Sequence, residues 1–171
     1  MTMTPTIEDD DVFAALSAFL MDICPNLGRN NIRQGQQNRV PMPPGPSFVI
    51  LIPTDRAGLA TTVRDYLPDT NERHTTRSTQ VGCYINFYGP DATDNGQIFN
   101  QLFCDLYGCD FLSTYGVQPL WCDDGKQMPL IDSEKQYETR WMIHALMQIN
   151  PTISTTQQFA DTVSVSIKEA D

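Results

Sequence analysis

The chain holds few side chains able to do acid–base or covalent chemistry, and their spacing decides what they are for. It has two histidines, His74 and His144. His74 lies in the polar, breaker-rich stretch PDTNERHTTRS, where a solvated side chain is expected. His144 lies in KQYETRWMIHALMQI beside an apolar alternation, where a hydrogen-bonded structural histidine is expected. Neither adjoins a Ser or Cys in a nucleophile motif, and no glycine pattern cradles a phosphate. Two carboxylate clusters occur, EDDD at Glu8–Asp11 and CDDG at Cys122–Gly125. Metal-dependent nuclease chemistry needs such groups on strand ends, with a lysine and a basic groove. Here one cluster opens a helix and the other makes a turn. No catalytic, cofactor-binding or metal-ligating residue is assigned, and no cofactor is expected.

The cysteines are Cys24, Cys83, Cys104, Cys109 and Cys122, an odd count that cannot pair fully within one chain. Buried free thiols are the expectation for a protein folded in a reducing compartment. The alternative is intersubunit disulfides at any of the five, formed after release into an oxidising medium. Cys104 and Cys109 enclose the short stretch CDLYGC, but no second pair completes a zinc site. Trp121 and Trp141 lie in strand-like stretches and read as core or interface.

Composition bounds the classes. A length of 171 residues with 40% hydrophobic content suits one domain over residues 1–171. A net charge of −10 argues against a nucleic-acid binder, which must displace counterions with Lys and Arg. It also argues against an anionic membrane surface as partner. No apolar run approaches the roughly 20 residues of a bilayer span. The acidic start MTMTPTIEDDD lacks the basic and apolar regions of a secretory signal, so folding in a cytoplasm is expected.

The elements that must position these residues follow from periodicity. Thr6–Cys24 reads as an amphipathic helix, with Thr6 as cap, the acidic cluster on the positive end of the dipole, and Val12, Leu16, Phe19, Leu20 and Ile23 as its stripe. NIRQGQQNRV reads as a polar edge strand. Pro41, Pro43, Pro44 and Pro46 stiffen an extended arm that delivers the chain to the apolar strand at Phe48–Thr54. RAGLATTVRDYL fits either a hairpin or a short helix, and Asp69–Arg77 reads as a projecting loop. In STQVGCYINFYG, Val81, Cys83, Ile85 and Phe87 alternate with Tyr84, Asn86 and Tyr88.

DATDNGQIFNQLFCDLYG reads as one helix capped by Asp94 and Gln97, with Ile98, Leu102 and Leu106 flanked by Phe99 and Phe103 as its buried stripe and Gly108 just past its end. A short helix at Asp110–Tyr115 follows. VQPLWCDD is a brief strand, Tyr137–Ile149 is the longest strand, with Glu138 and Arg140 placed to pair, and TVSVSIKE is a last one. A mainly antiparallel sheet with two principal helices on one face results, an α+β architecture (helix 6–24, arm 41–46, sheet and helices 47–168).

Several stretches together resemble one family, the neck or tail terminator proteins of contractile- and long-tailed phages. They are NRVPMPPGPSFV, YGPDATDNGQIF and QPLWCDDGKQMPLIDSEKQYETRW, within longer segments covering most of the chain from Gln37 onward. The resemblance implies a structural virion protein without catalytic residues. It implies a homo-oligomeric ring, typically a hexamer, that caps the head-proximal end of the tail tube. Such a ring stops tube growth, and sheath growth in a contractile tail, and docks to the head-completion or connector protein while DNA passes through its lumen. The cysteines are not part of the resemblance. Candidate subunit or partner contacts are Pro41, Pro43, Pro44 and Pro46 of the arm, Arg73, His74 and Arg77 of the loop, Tyr84 and Tyr88, and Asp123 and Asp124. Two other readings stay open: a head-completion or adaptor ring, and a small α+β ligand-binding domain of a host cell.

Overall fold

The computed structural model describes residues 3–38, 41–131, 137–158 and 165. Helix α1 spans Asp9–Ile23 and buries Val12, Ala15, Leu16, Phe19, Leu20 and Ile23. It starts later than the sequence suggests. The Asp11 carboxylate accepts the Glu8 N–H at 2.8 Å, so Thr6 is not its cap. Thr6 instead donates its N–H to the Thr152 carbonyl at 3.1 Å, and its hydroxyl accepts the Thr152 N–H.

The main sheet contains β1 (Ile32–Gln34), β2 (Phe48–Gly58), β5 (Thr79–Tyr88), β10 (Arg140–Ile149) and β6 (Gln118–Cys122), side by side in that order, with β7 (Lys126–Gln127) also on the outer edge of β10. The pairings are antiparallel except β1–β2, which runs parallel with Ile32 opposite Val49. The alternation in β5 and β10 sends Val81, Cys83, Ile85, Phe87, Ile143, Ala145, Met147 and Ile149 to one face, where all are buried. Helices α1, α2 (Ala92–Phe103) and α3 (Leu106–Ser113) cover that face. The fold is the expected α+β layer. No helix among the described residues is long and apolar enough to cross a membrane.

The expected single helix over Asp94–Gly108 is two. Alpha-helix α2 ends at Phe103, and Asp105 begins α3 by accepting the Tyr107 N–H at 3.4 Å. The buried side of α2 is Ala92, Asn95, Gly96, Phe99 and Phe103, whereas Ile98 and Leu106 are exposed. Gly108 does not close a helix. It lies inside α3, where a Cβ would meet the Leu102 carbonyl oxygen at 2.3 Å, so glycine permits the two helices to abut. Arg140 turns to β5 and donates to Asn86 Oδ1 from Nε at 3.0 Å and Nη2 at 2.7 Å.

Trp141 shows how close approach selects glycine. A Cβ on Gly96 of α2 would lie 2.3 Å from its ring, and one on Gly125 would lie 1.8 Å from its Nε1. The indole fills a slot that both glycines leave open. Gly125→Ala is expected to cost about 1–3 kcal/mol by overpacking, seen as a lower thermal midpoint with a red-shifted indole emission. An unchanged midpoint would mean that the turn yields freely.

Beyond Pro53 the sheet extends into a second layer. Strand β2 passes a register shift between Pro53 and Arg56 and runs on to Gly58. A separate three-stranded sheet follows, ordered β11 (Thr152–Thr156), β4 (Glu72–Thr76), β3 (Val63–Leu67). RAGLATTVRDYL is therefore neither a helix nor a hairpin: its ends lie in β2 and β3, in different sheets, joined by residues 59–62. The supposed loop at Asp69–Arg77 holds the middle strand of this wing, and only the turn at Pro68–Asn71 is free of pairing. A small hairpin, β8 (Leu130–Ile131) with β9 (Tyr137–Glu138), completes the elements. The expected strand TVSVSIKE lies outside the described residues apart from Val165, which is exposed.

Candidate assembly interface

None of the wing's three strands has a buried residue, whereas the central strands β2, β5 and β10 bury several each. A three-stranded sheet needs an apolar face against something else to be stable. Its apolar side chains face solvent instead: Val63 at 57% and Leu67 at 39% exposed share one face, and Ile153 at 37% lies on the other by register. Charge on the wing is balanced, since residues 55–77 carry four arginines and four carboxylates, so the net −10 resides elsewhere. Of the sequence candidates here, Arg73 and His74 are half-buried in β4, with His74 Nε2 3.4 Å from Glu72, and Arg77 follows the strand. The Arg73 Nε is buried without a hydrogen-bond partner, so the geometry leaves a cationic donor unsatisfied within the described residues.

The proline arm is held against its own chain. Asn31 Nδ2 donates to the Pro44 carbonyl at 2.5 Å and to the Ser47 carbonyl at 3.2 Å, and Ser47 Oγ donates to Asp91 at 2.8 Å. Gly45 supplies the positive φ of +98° that turns the arm. Pro43 is buried, while Pro41, Pro44 and Pro46 are exposed. The arm thus has an exposed outer rim, with Pro43 buried as its inner anchor.

The sheet face opposite the helices carries Ile50, Ile52, Tyr84, Met142, His144 and Leu146, all half-buried, and no helix among the described residues lies on it. The two tyrosines separate here. Tyr84 packs on the His144 ring at 4.6 Å and remains half-open. Tyr88 is buried, stacked on Phe48 at 4.7 Å with the Arg140 guanidinium over it at 5.7 Å, so it belongs to the fold's own packing. Its hydroxyl is pushed up in pKa by burial, against the pull of Arg140. His144 is a satisfied structural residue as expected, with Nε2 3.2 Å from the Thr54 hydroxyl. At the edge, Asp123 accepts the His144 N–H at 2.6 Å and faces Lys126 at 3.3 Å, whereas Asp124 is exposed. Asp123 therefore closes the acidic turn, and Asp124 is the carboxylate open to a partner.

The thiols divide in the same way. Cys24 and Cys83 are buried, and burial pushes them up to about 11 and about 12, so both are protonated at neutral pH and sealed from a neighbouring chain. Cys104 is exposed, and Cys109 and Cys122 are partly so. No group of three or more metal-ligating side chains assembles among the described residues.

A helix layer thus packs over a mainly antiparallel sheet, and the strands of the wing are exposed. The profile of a family described as "Phage neck terminator protein" matches residues 10–171. The chain belongs to that family. It is thus a structural protein of the phage neck, at the junction of tail and head, where it meets other proteins of the particle. No curated protein matches the chain. The family match reaches beyond the stretches from Gln37 onward to nearly all of α1, and takes in every element from β1 to β11. What sequence reasoning missed is the wing. Its strands are short and lack a clean period of two, and β11 falls in a stretch given no element in the sequence. The signal was the exposed-looking apolar set Val63, Leu67 and Ile153 in an otherwise polar region.

Proposed function

We propose that the chain is the subunit of a closed ring, six copies around, that caps the head-proximal end of the tail tube. The ring ends tube growth, and sheath growth where the tail is contractile, and offers its far surface to the head-completion or connector protein. It assembles in the host cytoplasm and ends in the neck of the virion. The observation that carries this reading is the wing, a sheet with exposed apolar residues on a chain of the neck terminator family. Permanent subunit interfaces bury on the order of 2,000 Å² or more of largely apolar surface, and the wing's exposed apolar residues would form one part of it.

The DNA path fits the charge. Helices α1 to α3 with their preceding caps carry nine carboxylates (Glu8, Asp9, Asp10, Asp11, Asp22, Asp91, Asp94, Asp105 and Asp110) and no Lys or Arg. A lumen wall of that kind repels phosphate and lets DNA slide, where a basic wall would hold it.

The double variant Val63→Ser, Leu67→Ser tests the ring. Both positions are solvent-exposed in the single chain, so its thermal midpoint should move little, while light scattering should show the ring falling to smaller species. A variant that stays in rings would remove the wing from the interface. Position on the particle separates the related reading: terminator rings are found on tails that have not yet joined heads, adaptor rings on isolated heads.

A further inference from the structure

The Cys104 and Cys122 side chains meet across the edge of the helix layer. Cys104 follows the last residue of α2, and Cys122 ends β6. The two thiols are neighbours that shift each other's ionisation, Cys122 upward. Asn100, one helical turn before Cys104, holds Cys122 from above: its Nδ2 donates to the sulfur at 3.6 Å, and its carbonyl accepts from the thiol at 4.0 Å. Asn100 Nδ2 also donates to the Asp123 carbonyl at 2.8 Å, which fixes the turn beneath. Contact between a pair of thiols at the surface is a different arrangement from Cys24 and Cys83, which are sealed in the core.

We propose that Cys104 and Cys122 form an intrachain disulfide when the protein meets a small-molecule disulfide outside the reducing cytoplasm. The exposed Cys104 thiolate attacks one sulfur of the oxidant and expels the other half as a thiolate. The sulfur of Cys122, once deprotonated, then attacks Cys104 and expels the second half. Two electrons pass to the oxidant, two protons end on its released thiols, and one protein S–S bond replaces two S–H bonds. The bond ties α2 to β6 across the 17 residues between the two cysteines, which include all of α3. Closing that loop restricts the unfolded chain and leaves the folded one nearly as it is. The mature particle would thus carry a staple that the assembling subunit lacks.

Burial raises both thiols, Cys122 to about 12, so few are ionised at neutral pH and the reaction is slow there. The rate is expected to rise about tenfold per pH unit between pH 7 and pH 9, where thiolate remains the minor species.

The test incubates the full purified chain with oxidised glutathione, blocks remaining thiols by alkylation and maps the peptides by mass. The expected result is a single linkage of Cys104 to Cys122, a monomer band without reductant, and a thermal midpoint several degrees higher that dithiothreitol reverses. Cys104→Ser should abolish the linkage and the shift, and Cys109→Ser should keep both. Five alkylated thiols after prolonged exposure at pH 9, a Cys104–Cys109 linkage, or a chain-to-chain disulfide as the main product would each overturn the proposal. None of these outcomes touches the ring reading, which stands or falls on the wing variants.

Discussion

Phage lacking this protein are expected to accumulate filled heads and tails that are not joined. The expectation follows from membership of the neck terminator family and from the proposed role of the exposed wing. If the chain forms the proposed capping ring, a tube without it has no defined end, so the unjoined tails should also vary in length. Electron micrographs of a lysate from a deletion mutant show both effects at once. Complementation in the host with the wild-type chain should restore joined particles of uniform length, and complementation with Val63→Ser, Leu67→Ser should not. Normal tails of normal length attached to heads in the deletion lysate would end the terminator reading. Heads carrying tails of uniform length that detach on purification would move the chain to the connector side instead.

Phe99→Ala is expected to cost about 3–5 kcal/mol, the range for removing a buried aromatic ring. Phe99 is fully buried on α2. Its ring meets Phe19 of α1 at 5.9 Å, Phe87 of β5 at 6.1 Å and Phe103 at 4.8 Å, so one side chain joins two helices and the central sheet. Phe111 of α3 reaches the same cluster through Phe19 at 5.6 Å. Small domains are stable by only about 5–15 kcal/mol, so this loss leaves a chain that unfolds at or near growth temperature. Urea titration measures it directly, and in phage the substitution should behave as temperature-sensitive for head–tail joining. A loss below about 1 kcal/mol would show that the cluster collapses around the missing ring.

The sequence made the core strands legible because burial imposes a strict period on them. Val81, Cys83, Ile85 and Phe87 alternate without interruption, and so do Ile143, Ala145, Met147 and Ile149, and each lies where alternation puts it. The stripe of α1 was legible for the same reason. The break between α2 and α3 was not, because Leu102 and Leu106 continue a helical spacing that the backbone abandons at Cys104. Small residues carried the real information: Gly96 and Gly108 mark contact faces that a hydrophobicity pattern passes over. The wing was hidden for a further reason. Its strands are stabilised by pairing with one another, and their exposed side chains obey no burial pattern. Among the proposed contact residues of the proline arm, the buried Pro43 was not separable from the exposed Pro41, Pro44 and Pro46. Tyr84 and Tyr88 shared a face by periodicity, yet only the contacts of Phe48 and Arg140 distinguish the buried ring from the open one.

The pairing of β5 with β10 has a kinetic consequence. Opposed residues such as Tyr88 with Arg140 and Thr79 with Ile149 lie 52 to 70 positions apart along the chain. The central ladder therefore closes only after a long loop has been brought together, and chains dominated by such remote contacts fold in milliseconds to seconds rather than microseconds. Strand β11 follows β10 directly and is the last partner of β4, so the wing is completed only after the centre has zipped. A subunit still searching for its central register has no finished surface to offer, and an unpaired edge at that stage is open to wrong partners. Folding order would thereby set assembly order, delaying recognition between copies until each has found its own core.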